Sequence, residues 1–169
     1  MNKNWEKSVQ FHGHECPGLA IGVRASEAAI EKMELTFSED EEVVCISENN
    51  ACGVDAIQVL LGCSIGKGNL MIRLKGKHAY NFYDRKSLKT LRILLKPFVK
   101  EMDRAERQRR ILTDPLDSLF EFKEPVIPLP KKAEIYQTIT CESCGEGTAE
   151  PFIRLKNGEK ICLDCCEIS

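Results

Sequence analysis

The stretch Phe11-His12-Gly13-His14-Glu15-Cys16-Pro17-Gly18 gathers two of the chain's three histidines and one of its nine cysteines within five positions. Imidazole nitrogen and thiolate sulfur are the ligand types that hold zinc and similar transition metals. Two local geometries bring them together. In an extended chain His12, His14 and Cys16 point to one side; in a helix His12 and Cys16 lie four apart on one face. Gly13 permits backbone angles that other residues avoid, and Pro17 disfavours a helical Cys16. The expected arrangement is an irregular or extended lead-in to a helix whose first residue is Pro17. Cys16 then stands at a helix N-terminus, where free N–H groups and the dipole favour thiolate over thiol. A tight turn with surface histidines and a buried structural cysteine is the plainer alternative.

Upstream, Asn4 to Gln10 reads as a short helix. Downstream, Leu19, Val23, Ile30 and Met33 recur at helical spacing, so the helix should run from Pro17 to about Met33, with Gly22 marking close packing. Ser38 to Glu42 is a polar turn. The β-branched run Glu42-Val43-Val44-Cys45-Ile46-Ser47 is of strand length, with Cys45 an inert core residue. After the turn Glu48-Asn49-Asn50, the segment from Ala51 to Leu61 fits another helix, closed by Gly62. Cys52 just ahead of that helix repeats the placement of Cys16, and two such helices side by side would aim both thiolates at one point. A second buried cysteine is the competing reading.

Cys63 opens the loop Cys63-Ser64-Ile65-Gly66-Lys67-Gly68-Asn69, which lacks the spacing of a Walker loop and reads as a turn. Two strands are expected at 70–75 and 78–83, joined as a hairpin through Gly76-Lys77. His78, beside aromatics, reads as packing. Ser87 to Lys96 is expected to be helical, and Pro97 to start a further helix to about Leu112. Its charge-rich part, Lys100 to Arg110, reads as a solvated face with Asp103/Arg107 and Glu106/Arg110 pairs, because acids are interleaved with the bases. Asp114 should cap one more short helix.

Composition changes at Glu124. Pro125, Pro128 and Pro130 mark a semi-rigid linker over 124–134, between a core domain at 1–123 and a last unit at 135–169. In that unit Cys141-Glu142-Ser143-Cys144 and Cys162-Leu163-Asp164-Cys165 are two C-x2-C knuckles 17 residues apart. Four thiolates so spaced supply a tetrahedral structural zinc site. Cys166 is spare.

The chain has 169 residues, 43% hydrophobic and 30% charged, enough for one good core plus a small appendage. A net charge of −2 gives no global pull towards nucleic acid or anionic lipid. The polar start, Met1 to Lys7, carries no apolar signal region, and runs such as Val59-Leu60-Leu61 are far too short to span a bilayer. Clustered cysteines without a secretory signal point to a reducing cytoplasm, where metal ligands and reactive thiols are commoner than disulfides.

Together, Phe11–Gly18, Cys52-Gly53-Val54-Asp55-Ala56-Ile57-Gln58, Gly62-Cys63, Gly66-Lys67-Gly68-Asn69 and the aromatic strand near Phe82 resemble the E-subunit family of formylmethanofuran dehydrogenase. The four-cysteine unit resembles the treble-clef zinc finger that some members carry. The resemblance implies an α+β fold: a core domain of helices on a small sheet, a Cys/His metal site within it, an appended finger, and a homodimer. Carried over, the core site maps onto His14, Cys16 and Cys52, with His12 and Cys63 nearby and Asp55 and Lys67 inside matching motifs. The expected metals are structural zinc in the tail and zinc or another transition metal in the core. The family's parent enzyme reduces carbon dioxide onto methanofuran at a molybdenum or tungsten centre with iron–sulfur clusters. This chain shows neither a pterin-binding region nor a ferredoxin cysteine run, so it resembles an accessory component of a redox enzyme or a stand-alone relative. An adaptor that binds a protein or nucleic-acid partner through the finger is the alternative, weakened for nucleic acid by Glu142, Glu146, Glu150 and Asp164.

Overall fold

The computed structural model describes residues 3–98 and 101–167. The chain forms two compact units, one up to Lys132 and one from Ala133.

The first unit is built around α2 (Pro17–Met33), which follows α1 (Lys3–His12). Leu19, Ala20, Val23, Ala25, Ala28 and Ala29 are all fully buried along α2. Small and branched side chains on several sides let neighbours approach on more than one flank, so α2 packs against α1, α3 (Gly53–Leu61), α4 (Arg104–Thr113) and the sheet. Each large apolar side chain buried here stabilises by roughly 1.5–3 kcal/mol relative to exposure.

The sheet is mixed, in the order β2-β1-β3-β4-β5, from β1 (Val43–Ser47), β2 (Leu70–Ile72), β3 (Ala79–Asp84), β4 (Thr90–Leu95) and β5 (Phe120–Lys123). β1 is buried at every position and pairs parallel to β2 and antiparallel to β3. Cys45, within β1, is fully buried, as its apolar neighbours imply. The fold is thus α+β, as the sequence implies.

Three expectations need correction. β2 and β3 do not form a hairpin through Gly76-Lys77, because β1 lies between them. Beyond β2 the chain still follows β1, through Arg73 N–H to Ser47 O and Lys75 N–H to Glu48 O, and then crosses to the far side.

Residues 87–96 are not a helix. Thr90–Leu95 is β4, paired with β3 and β5. Leu91, Ile93 and Leu95 face the core, whereas Arg92 reaches Glu48 on the other face. Neighbouring strands override a leucine-rich run with good helix propensity, and Leu88, at φ +61°, turns the chain just before it.

Finally, α4 begins at Arg104, capped by the Asp103 carboxylate on the Glu106 N–H, and not at Pro97. Val99 and Lys100, within the expected start, lie outside the described residues. Asp114 closes α4, and Pro115 caps the four-residue α5 (Leu116–Leu119).

The second unit comprises two hairpins and a short helix: β6 (Thr138–Thr140) with β7 (Gly147–Ala149), β8 (Ile153–Lys156) with β9 (Glu159–Cys162), and α6 (Leu163–Glu167).

Candidate metal centres

The core cluster arises from three chain ends brought together. α1 ends at His12 because Gly13, at φ +90°, closes it with its N–H on Val9 O. Trp5 and Val9 hold α1 against Leu19 and Val23 of α2 and Ala56 of α3. Cys16 is extended (φ −156°, ψ 157°), as the following proline requires, and caps α2 by accepting the Leu19 N–H on Sγ at 3.3 Å. Cys52 caps α3, whose departure from β1 is set by Asn49: its side chain accepts the Ala51 N–H and donates to Lys77 O.

Glycines then let the two helix starts touch. A Cβ on Gly22 would lie 2.1 Å from Gly53 O, and one on Gly53 would lie 2.3 Å from the Tyr80 hydroxyl. Gly18, one turn above Gly22, sits against both thiols, its Cβ position 3.6 Å from Cys52 Sγ and 3.8 Å from Cys16 Sγ.

One ligand atom each from His12, Cys16 and Cys52 lie within 4.8 Å of one another. His12 Nε2 is 3.9 Å from Cys16 Sγ, while its Nδ1 meets Asp55 Oδ2 at 2.7 Å. Zinc bonds of about 2.3 Å to sulfur and 2.0–2.1 Å to nitrogen suit donors at this mutual spacing. A carboxylate on the far nitrogen of a ligating histidine fixes the ring and its tautomer, and Asp55, in the first turn of α3, occupies that place. Gln58 donates to the other Asp55 oxygen at 3.2 Å.

The electrostatics differ at the two thiols. Cys16 receives a helix N–H; Cys52 makes no such capping bond. Burial, and the neighbouring Cys16 thiol, push Cys52 above its ordinary value. The thiolate expected from the position before α3 is therefore not supplied by the helix. A divalent cation between the sulfurs would reverse the balance, since coordination deprotonates a thiol. Three protein donors fit such an ion and leave a coordination position free. A cavity of about 430 Å³ opens on Cys16 and Cys52 and is bounded across from them by Met102, Arg104 and Arg107.

The remaining residues singled out by sequence are placed as follows. His14 is exposed and outside this group; its ring stacks on that of His12, centroids 4.4 Å apart. Cys63 is buried in the core, Sγ donating to Val43 O at 3.5 Å, and burial pushes its thiol up to about 12. Lys67 donates to Ser38 O at 2.7 Å. Asn69, fully buried, donates to Val43, Asp40 and Gly62 carbonyls and accepts the Ser64 N–H. The Gly62–Asn69 motif thus ties α3 to β1. Sequence reasoning missed Met102, Arg104 and Arg107 at the cavity, because a helix presenting interleaved charges gives no local sign of which face meets a partner.

In the second unit, Cys141 and Cys144 flank the turn between β6 and β7, Cys162 ends β9 and Cys165 lies in α6. Their sulfurs all lie within 4.8 Å of one another, Cys144 and Cys162 at 3.9 Å. Backbone N–H groups of Cys144 and Cys162 hold the Cys141 thiol down to about 6. Cys166 packs beside the group without joining it.

An α+β unit with an embedded Cys/His cluster, followed by a four-cysteine unit that fits a zinc finger, defines the class. Residues 11–121 match the family described as FmdE, molybdenum formylmethanofuran dehydrogenase operon, and the chain belongs to it. A probable S-adenosyl-L-methionine-binding protein of Archaeoglobus fulgidus is 30% identical over 191 aligned positions, covering 94% of this chain and 51% of that protein. The chain thus spans about half the length of that relative. The crystal structure of an FmdE-like protein of tungsten formylmethanofuran dehydrogenase type, from Syntrophus aciditrophicus, matches with a TM-score of 0.70 at 23% identity, over 97% of this chain and 90% of that one. At that identity the likeness speaks for the fold. No helix among the described residues is long and apolar enough to cross a membrane.

Proposed function

We propose that the chain is a metal-binding member of the FmdE family. In this reading it carries one transition metal of the zinc class on His12, Cys16 and Cys52, and a structural zinc on Cys141, Cys144, Cys162 and Cys165. The observation that carries the core reading is the triad's convergence with Asp55 on the outer nitrogen of His12. An ion held by three protein donors acts as a Lewis acid towards a ligand at its remaining position. The chain itself would supply the fixed imidazole, the paired thiolates and the cavity beside them.

A stand-alone homodimer or an accessory component beside a redox enzyme, in the cytoplasm, completes the proposal. The Archaeoglobus relative's name raises S-adenosyl-L-methionine as a ligand. About half of that protein lies outside the match, so its named ligand is not carried to this chain.

Metal analysis of wild type, Cys16→Ala and Cys141→Ser protein tests the reading. Cys16→Ala should lose the core metal and keep that of the finger. Cys141→Ser should do the reverse and unfold the tail while the helical signal of the first unit persists. A Cys16→Ala protein with the full wild-type metal content would sink the core site.

A further inference from the structure

We propose that the cavity beside the core triad binds a small organic anion, a carboxylate or a phosphate ester, with Arg104 and Arg107 as its counter-charges. The inference rests on the metal reading above and adds to it the class of ligand. Four arginines lie on α4, and they divide into two kinds. Arg109 is held by Glu106 at 2.6 Å and Arg110 by Asp114 at 2.8 Å. The other carboxylate on hand, Asp103, is engaged by the Glu106 N–H as the helix cap. Arg104 and Arg107 have no carboxylate partner among the described residues, and these two border the 430 Å³ cavity on which Cys16 and Cys52 open.

The acids nearest the triad leave this charge unmatched. Asp55 is engaged by His12, and Glu15 accepts from Gln108 at 3.1 Å. Arg107 also lies over the Phe98 ring, 5.6 Å from its centroid, which restricts the guanidinium. Guanidinium groups suit carboxylate and phosphate oxygens because their donors form a planar fork. Met102 adds an apolar wall for the carbon portion of the ligand. Two cations on one side and a metal cluster on the other make this cavity electropositive, although the chain as a whole is slightly acidic.

The test is calorimetric titration of the metal-loaded protein with inorganic phosphate and, separately, acetate, at fixed ionic strength. Three proteins are compared: wild type, R104Q/R107Q, and R109Q as a charge-loss control on the same helix. The core metal content of each is measured alongside. We expect at least one anion to bind wild type and R109Q alike, and R104Q/R107Q to bind it at least about tenfold more weakly with its core metal retained. Which anion responds tells carboxylate from phosphate. With the core metal present, equal affinity in wild type and R104Q/R107Q, or no binding of either anion to wild type, overturns the inference alone. A wild-type core without metal overturns the metal reading, and this inference with it.

Discussion

Asp55 is not itself a ligand of the proposed core ion, yet it should control that ion's affinity. It fixes the His12 ring from Nδ1 and leaves Nε2 for the thiols. Removing such a partner typically weakens metal binding about 10–100-fold. Asp55→Asn should therefore lower core affinity by that order in a competition with a chelator, and leave the finger's metal untouched. Equal affinity in the variant would remove Asp55 from the site. A second residue-scale prediction concerns Glu48, buried and held by Arg92 at 2.7 Å. The Arg92 guanidinium holds its carboxyl below the ordinary value of 4.5. Folding lowers this pKa, so the pair's contribution is complete above the unfolded value and fades as pH falls through the folded one. Urea unfolding of wild type should lose stability below about pH 4.5, and Glu48→Gln should show a shallower decline. Parallel curves would place the acid sensitivity elsewhere.

Among the elements, the crossing of α2 and α3 decides whether a core site exists. Gly22→Ala would place a methyl 2.1 Å from Gly53 O, against backbone that cannot rotate aside. Overpacking of this kind costs typically about 1–3 kcal/mol. Separation of the helix starts should also carry Cys52 away from Cys16, so the variant should lose both thermal stability and core metal. Full metal occupancy with unchanged stability would show that the close approach is dispensable. These two helices are also the most legible part of the sequence. Pro17, the Leu19–Met33 periodicity and Gly62 mark their ends locally, and the Cys16 and Cys52 placements follow from those ends. β4 is not legible, because Thr90–Leu95 becomes a strand only through its pairing with β3 and β5, and β5 lies far off in sequence. The pairing of β2 with β1 likewise depends on a parallel crossover through α3 that no turn signal announces. At the site, ligand chemistry marks His12, Cys16 and Cys52. Whether His12 or His14 turns inward depends on where α1 ends, and the role of Arg104 and Arg107 depends on which face of α4 meets α2; neither is a local property.

For the molecule as a whole, the two units should answer differently to loss of metal. The first has a broad apolar core running through α2, β1, β3 and β4. The second buries Ile161 with its cysteines and leaves Phe152 and Leu155 exposed, so metal binding must supply much of its folding free energy. A chelator should accordingly unfold the tail and empty the core site without unfolding the first unit. Whether one chain holds two separate metal centres can be decided by anomalous diffraction at the metal's absorption edge, from crystals of the wild-type protein. Two anomalous peaks per chain are expected: one among the four finger sulfurs, the other between His12 Nε2, Cys16 Sγ and Cys52 Sγ. A single peak, confined to the finger, in crystals grown with excess metal would contradict the presence of a core centre.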